Sequence, residues 1–398
     1  MSLSRLFAIV AVGALTATTS ATGAVVRASG SSVPGQVAWV RDLLDDVSAV
    51  EAGSDAAIAL TADGLVAVDG LTGEVRWTRP AAPEGTLDVL ASPDGLTALV
   101  VEMAAGRWEV IGIDTTDGSE RFRVDYPAIH QFFPTEPLIY PGLQLSVSND
   151  AFAYLRDATQ VVVNSLDTGD ELSVVDMPAE CSVAASWWGP AQSTDHGVIV
   201  PCFDPTAREV RGGYVFLETS TRDFTWREIR PGLVSDPLTS PRLAPDGDLA
   251  LLRFWRLTQG GGGAAEDAIV DVVTGTALAE APRLLGQLGR HHTWLESGQL
   301  SASDAAVLVD LDSGAEVTLM RPCPTAKPVL VLPAGVLWFA FERVIGSSEP
   351  PCGLVFTAVT GAVTSIAVDA KFERPPSVVA VGETFVLHAF GADLLGLR

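Results

Sequence analysis

Between Ala62 and Pro80 the sequence ADGLVAVDGLTGEVRWTRP changes its pattern of apolar and polar positions twice. Leu65 to Val68 is a short apolar run with β-branched residues. Asp69 to Gly73 is polar and ends on a glycine, where a positive φ costs nothing. Glu74 to Trp77 alternates polar and apolar at period two. The pattern predicts two antiparallel strands joined by a tight turn. An Asp at the head of such a turn can accept hydrogen bonds from backbone N–H groups two or three residues on, and Thr72 can reinforce it. Trp77, four residues past the glycine, is too large to leave in water and is expected to wedge against a neighbouring sheet.

Aligned on the turn glycine, the unit recurs to the end of the chain. Gly118, Gly169, Gly275, Gly314 and Gly361 close equivalent turns, and YVFLETSTRDFTW is a degenerate copy with Arg222 in the glycine position. From Gly73 onward the seven positions are separated by 45, 51, 53, 53, 39 and 47 residues. A period in that range is the length of a four-stranded propeller blade. Asp stands four residues before the glycine at Asp69, Asp114, Asp271 and Asp310, with Ser165, Glu218 and Thr357 elsewhere. A large aromatic stands four after it at Trp77, Phe122 and Trp226. Ser173, Ala279, Thr318 and Ser365 depart from that rule.

At the start, Arg5 precedes an apolar, small-residue run from Leu6 to Ala17, and Thr22 to Ala24 offers a small-residue exit. This reads as a secretory signal peptide over residues 1–24, the run being shorter than the ~20 residues a membrane span needs. Residues 25–398 then form a single domain with room for eight units of about 47 residues. Gly35 lies four residues before Trp39, so Gln36 to Trp39 reads as the outermost strand of a blade whose other strands lie at the C-terminus, in ETFVLHAFGADLLGLR. The expected fold is therefore all-β: an eight-bladed β-propeller of four-stranded antiparallel sheets, its ring closed by N- and C-terminal strands in one blade.

The repeat resembles the PQQ-like β-propeller repeat, DGxLxALDxxTGxxxW, of quinoprotein dehydrogenases and of the propeller lipoprotein of the bacterial outer-membrane barrel-assembly machinery. Asp69, Thr72, Gly73 and Trp77 carry the match, which runs strongest in the first unit. It implies a fold and leaves function open, because the matching positions are structural and similar propellers host unrelated tasks.

Composition changes the picture in two respects. With 49 acidic residues against 25 basic, the net charge of −24 argues against nucleic acid and anionic lipid as partners. Four cysteines in an exported chain imply two disulfides, and the local pairing Cys181–Cys202 and Cys323–Cys352 keeps each within one repeat. Neither pair has the spacing of a structural zinc site.

Candidate chemistry is sparse. His291 and His292 are adjacent, Gly260 to Gly263 lacks the Lys-Ser/Thr of a phosphate loop, and no GxSxG elbow occurs. Trp187 and Trp188 could stack on a ring, and Asp45 and Asp46 are neighbours in sequence only. A PQQ-dependent quinoprotein dehydrogenase is the enzyme alternative. That family is known for an adjacent Cys-Cys disulfide against the cofactor, whereas no two cysteines here are adjacent, and no cluster of Arg is visible to hold a tricarboxylate. The expectation is a non-catalytic, exported monomer without cofactor or metal, neither binding nucleic acid nor inserting in a membrane once the signal is removed. It presents loops to a protein or glycan partner. Trp39, Trp77, Phe122 and Trp226 are expected to pack blades.

Overall fold

The computed structural model describes residues 35–43, 46–82, 85–126, 145–156, 160–176, 192–193, 196–201, 211–218, 223–231, 234–235, 242–243, 249–255, 265–281, 292–296, 306–311, 315–323, 326–332, 334–340, 353–368, 377–388 and 393–398. Strands and turns account for the regular structure of these residues, and no helix occurs among them.

Strand β1 (Val37–Asp42) precedes the first complete blade: β2 (Val47–Ala52), β3 (Ala56–Thr61), β4 (Gly64–Asp69) and β5 (Val75–Pro80). The second holds β6 (Thr86–Ala91), β7 (Thr97–Ala104), β8 (Arg107–Asp114) and β9 (Glu120–Tyr126). The third holds β10 (Leu145–Val147), β11 (Ala151–Arg156), β12 (Gln160–Ser165) and β13 (Glu171–Asp176). The fourth holds β14 (Gln192–Ser193), β15 (Gly197–Pro201), β16 (Arg211–Glu218) and β17 (Phe224–Pro231). Next come β18 (Val234–Ser235), β19 (Arg242–Leu243), β20 (Leu249–Trp255), β21 (Ala265–Asp271) and β22 (Ala277–Ala281). They are followed by β23 (His292–Glu296), β24 (Ala306–Asp310) and β25 (Glu316–Leu319). The chain then forms β26 (Ala326–Leu332), β27 (Gly335–Ala340), β28 (Leu354–Ala358) and β29 (Val363–Ile366). It ends with β30 (Ser377–Val381), β31 (Thr384–His388) and β32 (Asp393–Leu397).

Eight uniform four-stranded blades are not what forms. Six sheets are four-stranded blades, and the expectation of eight is corrected to that number. The two remaining sheets break the pattern: β18 to β22 make a five-stranded sheet, and β23 to β25 a three-stranded one among the described residues. In the first, β18 and β19 both pair with β20, at Val234↔Trp255 and Arg242↔Leu251, so two fragments share the place of one inner strand. Pro237 and Pro241 stand between the fragments and have no N–H to give a ladder.

One blade is built from both ends of the chain. Its order is β1-β32-β31-β30, with Trp39↔Gly396 and Asp42↔Asp393 in register. Hydrogen bonds from Gly35 N and Gln36 N to Arg398 O, at 2.8 and 3.0 Å, extend the seam. Each blade is apolar on both faces because it is packed between two others, and apolar clusters sit at those junctions rather than in one central core. Ile58, Leu60 and Leu65 of the first complete blade meet Val89, Val100 and Ile111 of the second. Phe339, Leu354 and Phe356 meet Phe385, Leu387 and Leu395 at the closing blade.

Candidate interaction surface

In each complete blade the connection from first to second strand and that from third to fourth lie at the same end, because the strands alternate in direction. At this end the turns interlock. Gly70 N donates to Asp55 O at 3.0 Å, Thr115 N to Leu96 O at 3.2 Å and Leu166 N to Asp150 O at 2.9 Å. Asp94 N reaches across to Asn149 Oδ1 of the next blade at 2.8 Å.

The repeat residues are consumed in building these turns. Asp69 Oδ1 accepts from Leu71 N, Thr72 N and Thr72 Oγ1 at 2.9, 2.8 and 3.1 Å. Its Oδ2 accepts from Arg76 Nε and Nη2 at 2.9 and 2.6 Å. Asp114 repeats the arrangement with Thr116 and Arg121. Burial works against ionisation of both carboxyls, but the hydrogen bonds outweigh it and hold them below the usual carboxylate range. Asp271 accepts from Thr274 N and Oγ1, while at Ser165 the hydroxyl takes weaker bonds from Asp167 N and Thr168 N. The two arginines were missed in sequence, although Arg three residues past the glycine recurs with Asp four before it. A β-bulge after the turn, at Ala67/Val68 and at Gly112/Ile113, re-aims them.

The same bulge decides what reaches the next blade. Gly73, Gly118 and Gly169 have φ of 75°, 77° and 76°. A Cβ on each would lie 2.7, 2.8 and 2.7 Å from Trp39, Trp77 and Phe122 respectively, each an aromatic of the preceding blade. Trp39 Nε1 donates to Gly70 O at 3.0 Å and Trp77 Nε1 to Thr115 O at 2.9 Å, so each ring is fastened to the turn it covers. Beneath the rings the cross-strand partners are small: Gly396 under Trp39, Ala67 opposite Trp77 and Gly112 under Phe122. Phe122 also stacks on Phe152 of the next blade at 5.7 Å.

Where the bulge is missing, the facing position moves one residue on. In β16–β17 the ladder next to the turn is regular, Trp226 pairs with Val215, and Arg227 pairs with the buried Tyr214. It is the Arg227 side chain that lies against Gly275, 3.1 Å from where a Cβ would be. In β24–β25 and β28–β29 the corresponding places are taken by Leu319 and Ile366, both buried in the junction with the following blade. Thr318 and Ser365, which the alignment compared with Trp77, are one residue out of step. Gly361 keeps a positive φ of 84° but has open space above it. Thr357, the stand-in for Asp69, is buried.

The remaining sequence candidates are scattered. His292 lies in β23 and Asp46 is exposed between β1 and β2. Asp310 ends β24, and Cys323 is disulfide-bonded. Residues 1–24, Asp45, Cys181, Trp187, Trp188, Cys202, Arg222, Gly260 to Gly263, His291, Gly314 and Cys352 lie outside the described residues. No group of three or more His, Cys, Asp or Glu among the described residues is placed to hold a metal ion. No described helix is long and apolar enough to cross a membrane. On the inner strands, Glu51 Oε2 accepts from Ala91 N of the next blade at 3.5 Å. Burial pushes the Glu51 carboxyl up to about 7, the Ala91 N–H opposing and the Asp88 charge adding to the rise.

Among the side chains that this end leaves outward, beside exposed polar ones such as Thr72, Thr116, Asp117, Asp167 and Asp170, three are large and apolar. Leu71 is 60% exposed, Leu96 48% and Val273 38%, all at turns of this end.

Solved structures with this arrangement of sheets are known. The chain is a β-propeller in fold. BamB from Moraxella catarrhalis superposes with a TM-score of 0.53 over 91% of this chain and 99% of that one, at 12% identity. The Dos1 propeller superposes with a TM-score of 0.51 over 92% and 95%, at 11% identity. At such identities the likeness is one of fold. No family model matches the chain, and no curated protein is similar to it in sequence.

Proposed function

We propose that this propeller is an exported, non-catalytic scaffold of the cell envelope that binds a protein partner. The observation that carries the reading is how the repeat residues are used. In the repeat turns the Asp, Thr, Arg and aromatic side chains are engaged with the turn backbone and the next blade, and the glycine is covered by a neighbouring ring. The same end offers apolar side chains, Leu71, Leu96 and Val273, to the outside. Exposed apolar residues on a rigid frame suit protein recognition better than catalysis. The repeat's resemblance to the barrel-assembly propeller supports an envelope location, as do a leader-like N-terminus and the expected pairing of Cys181 with Cys202 and of Cys323 with Cys352.

The test is site-specific photo-cross-linking in intact cells, with the photoreactive residue placed in turn at positions 71, 96 and 273 and, for contrast, at 106 on the opposite end. Discrete protein adducts from the first three positions are expected. An absence of adducts, together with stoichiometric PQQ and Ca²⁺ retention and substrate-dependent reduction of an acceptor dye, would overturn the reading in favour of the quinoprotein alternative.

A further inference from the structure

A propeller exposes the outer edge of every blade, and charged side chains there discourage an unwanted strand from adding. Among the described residues, the outer strands follow that rule with one exception. β1 carries Arg41 and Asp42, β5 Arg76 and Arg79, β9 two acids and two arginines, β13 Glu171 and Asp176, and β17 Arg227, Glu228 and Arg230. β22 and β25 carry Glu280 and Glu316. β29, Val363-Thr364-Ser365-Ile366, has no ionisable side chain. It ends the sheet order β26-β27-β28-β29, and its first three residues are exposed, Val363 by 57%.

The ladder fixes which backbone groups of this edge are unpaired. Ala358 N donates to Ala362 O at 2.8 Å, which makes 358/362 a hydrogen-bonded pair. Pair types alternate in an antiparallel ladder, so Phe356↔Thr364 and Leu354↔Ile366 are hydrogen-bonded too. Val363 and Ser365 therefore direct N–H and C=O away from β28. Beside them Gly361 is bare, whereas Gly73, Gly118 and Gly169 each lie under an aromatic ring.

We propose that β29 is a strand-addition site for an extended segment of a partner protein, neutral or basic in charge, with an aromatic residue at the end that lies beside Gly361. This rests on the scaffold reading and names the kind of partner it takes. Main-chain bonds to Val363 and Ser365 supply the pairing. The aromatic ring finds over Gly361 the kind of backbone that Trp39 covers at Gly73. The chain's net charge of −24 favours basic over acidic flanks. The same charge disfavours a second copy of this chain as occupant, and a four-residue ladder buries far less than the ~1,000 Å² a stable dimer needs.

The test uses the full chain and a fluorescent peptide, Lys-Lys-Trp-Val-Thr-Val-Thr-Val-Lys, with one control in which Glu replaces each Lys and another in which Ala replaces Trp. Binding is read by anisotropy, and its place by amide hydrogen exchange. The Lys peptide is expected to bind and to slow exchange at residues 363–368, with the Glu peptide about tenfold weaker and the Ala peptide severalfold weaker. Ser365→Pro and Val363→Lys each remove binding while leaving the melting temperature unchanged, since neither uses a ladder donor. Absence of binding, protection at another edge, or equal affinity in both variants would overturn the proposal. Photo-adducts from positions 71, 96 and 273 that persist in Ser365→Pro, while the peptide fails to bind wild type, would reject this site and leave the scaffold standing.

Discussion

The β6–β9 blade and the β26–β29 blade share a four-strand plan and differ in how they are fastened to their neighbours. In the first, Asp114 N pairs with Ser119 O across a four-residue loop, a bulge follows, and Phe122 reaches over the turn of the next blade. In the second, Ala358 N pairs with Ala362 O across three residues, no bulge follows, and Ile366 fills the junction instead. A bulge inserts one residue, and one residue changes the face of every side chain beyond it. The contrast teaches that the later repeats have not simply decayed. In β17, β25 and β29 the facing residue has moved from the fourth to the fifth place after the turn, whereas β22 keeps the bulge and pairs Ala279 with Ile269.

The largest effect separating the two kinds of blade should come from Trp39, which lies on Gly73 and Gly396 and donates to Gly70 O at the seam between the chain ends. Trp39→Ala is expected to cost about 4 kcal/mol in denaturant unfolding, from lost burial and a cavity at the closure. A midpoint unchanged from wild type would refute the role of the ring.

Gly118→Ala compared with Gly361→Ala isolates the cover itself, as both glycines have a positive φ. The covered position adds a collision with Trp77 to the backbone strain, so about 3 kcal/mol is expected against about 1 for the bare one. Equal losses would mean that strain alone matters.

Ile366→Ala and Ser365→Ala test the shift in register. A loss of about 2 to 3 kcal/mol is expected for the first and none above about 0.5 for the second, because only Ile366 is buried in the junction. The reverse order would restore the alignment in which Ser365 matches Trp77.

The smallest effects depend on pH. Asp69 and Asp114 have folded values below the ordinary range, so their contribution is present above the unfolded value near 4 and is lost as pH falls through the folded one. Asp114→Asn should therefore flatten the acid limb of the stability profile below about pH 4. Glu51 runs the other way. Its folded value of about 7 exceeds the unfolded one, so the native state holds the extra proton and stability falls as pH rises from about 4.5 to 7. Glu51→Gln should remove that slope, raising stability on the order of 1 kcal/mol at pH 8 once solvent screening is allowed for, with little change at pH 4.5. A profile parallel to wild type would show that the carboxyl is not buried in charged form.

Much of the architecture was legible along the chain because its signals are local. Asp69, Thr72 and Gly73 make a turn by reaching two to four residues, so the hydrogen bonds and the positive φ follow from their spacing. Gly35 to Trp39 and the residues before Arg398 each showed an incomplete blade, and the strand that one end lacks is the strand that the other supplies. Tertiary structure alone decided the rest. Whether a bulge follows the turn depends on loop closure, and that choice put Phe122 but not Ser365 on the facing side. Which turn a ring covers depends on the neighbouring blade, since Trp77 lies on Gly118 and not on its own glycine. Where one inner strand was expected beside β20, two short described strands, β18 and β19, both pair with it. Spacing measures distance along the chain, whereas register, cover and strand count are settled by contacts between segments some forty residues apart, where no local pattern speaks.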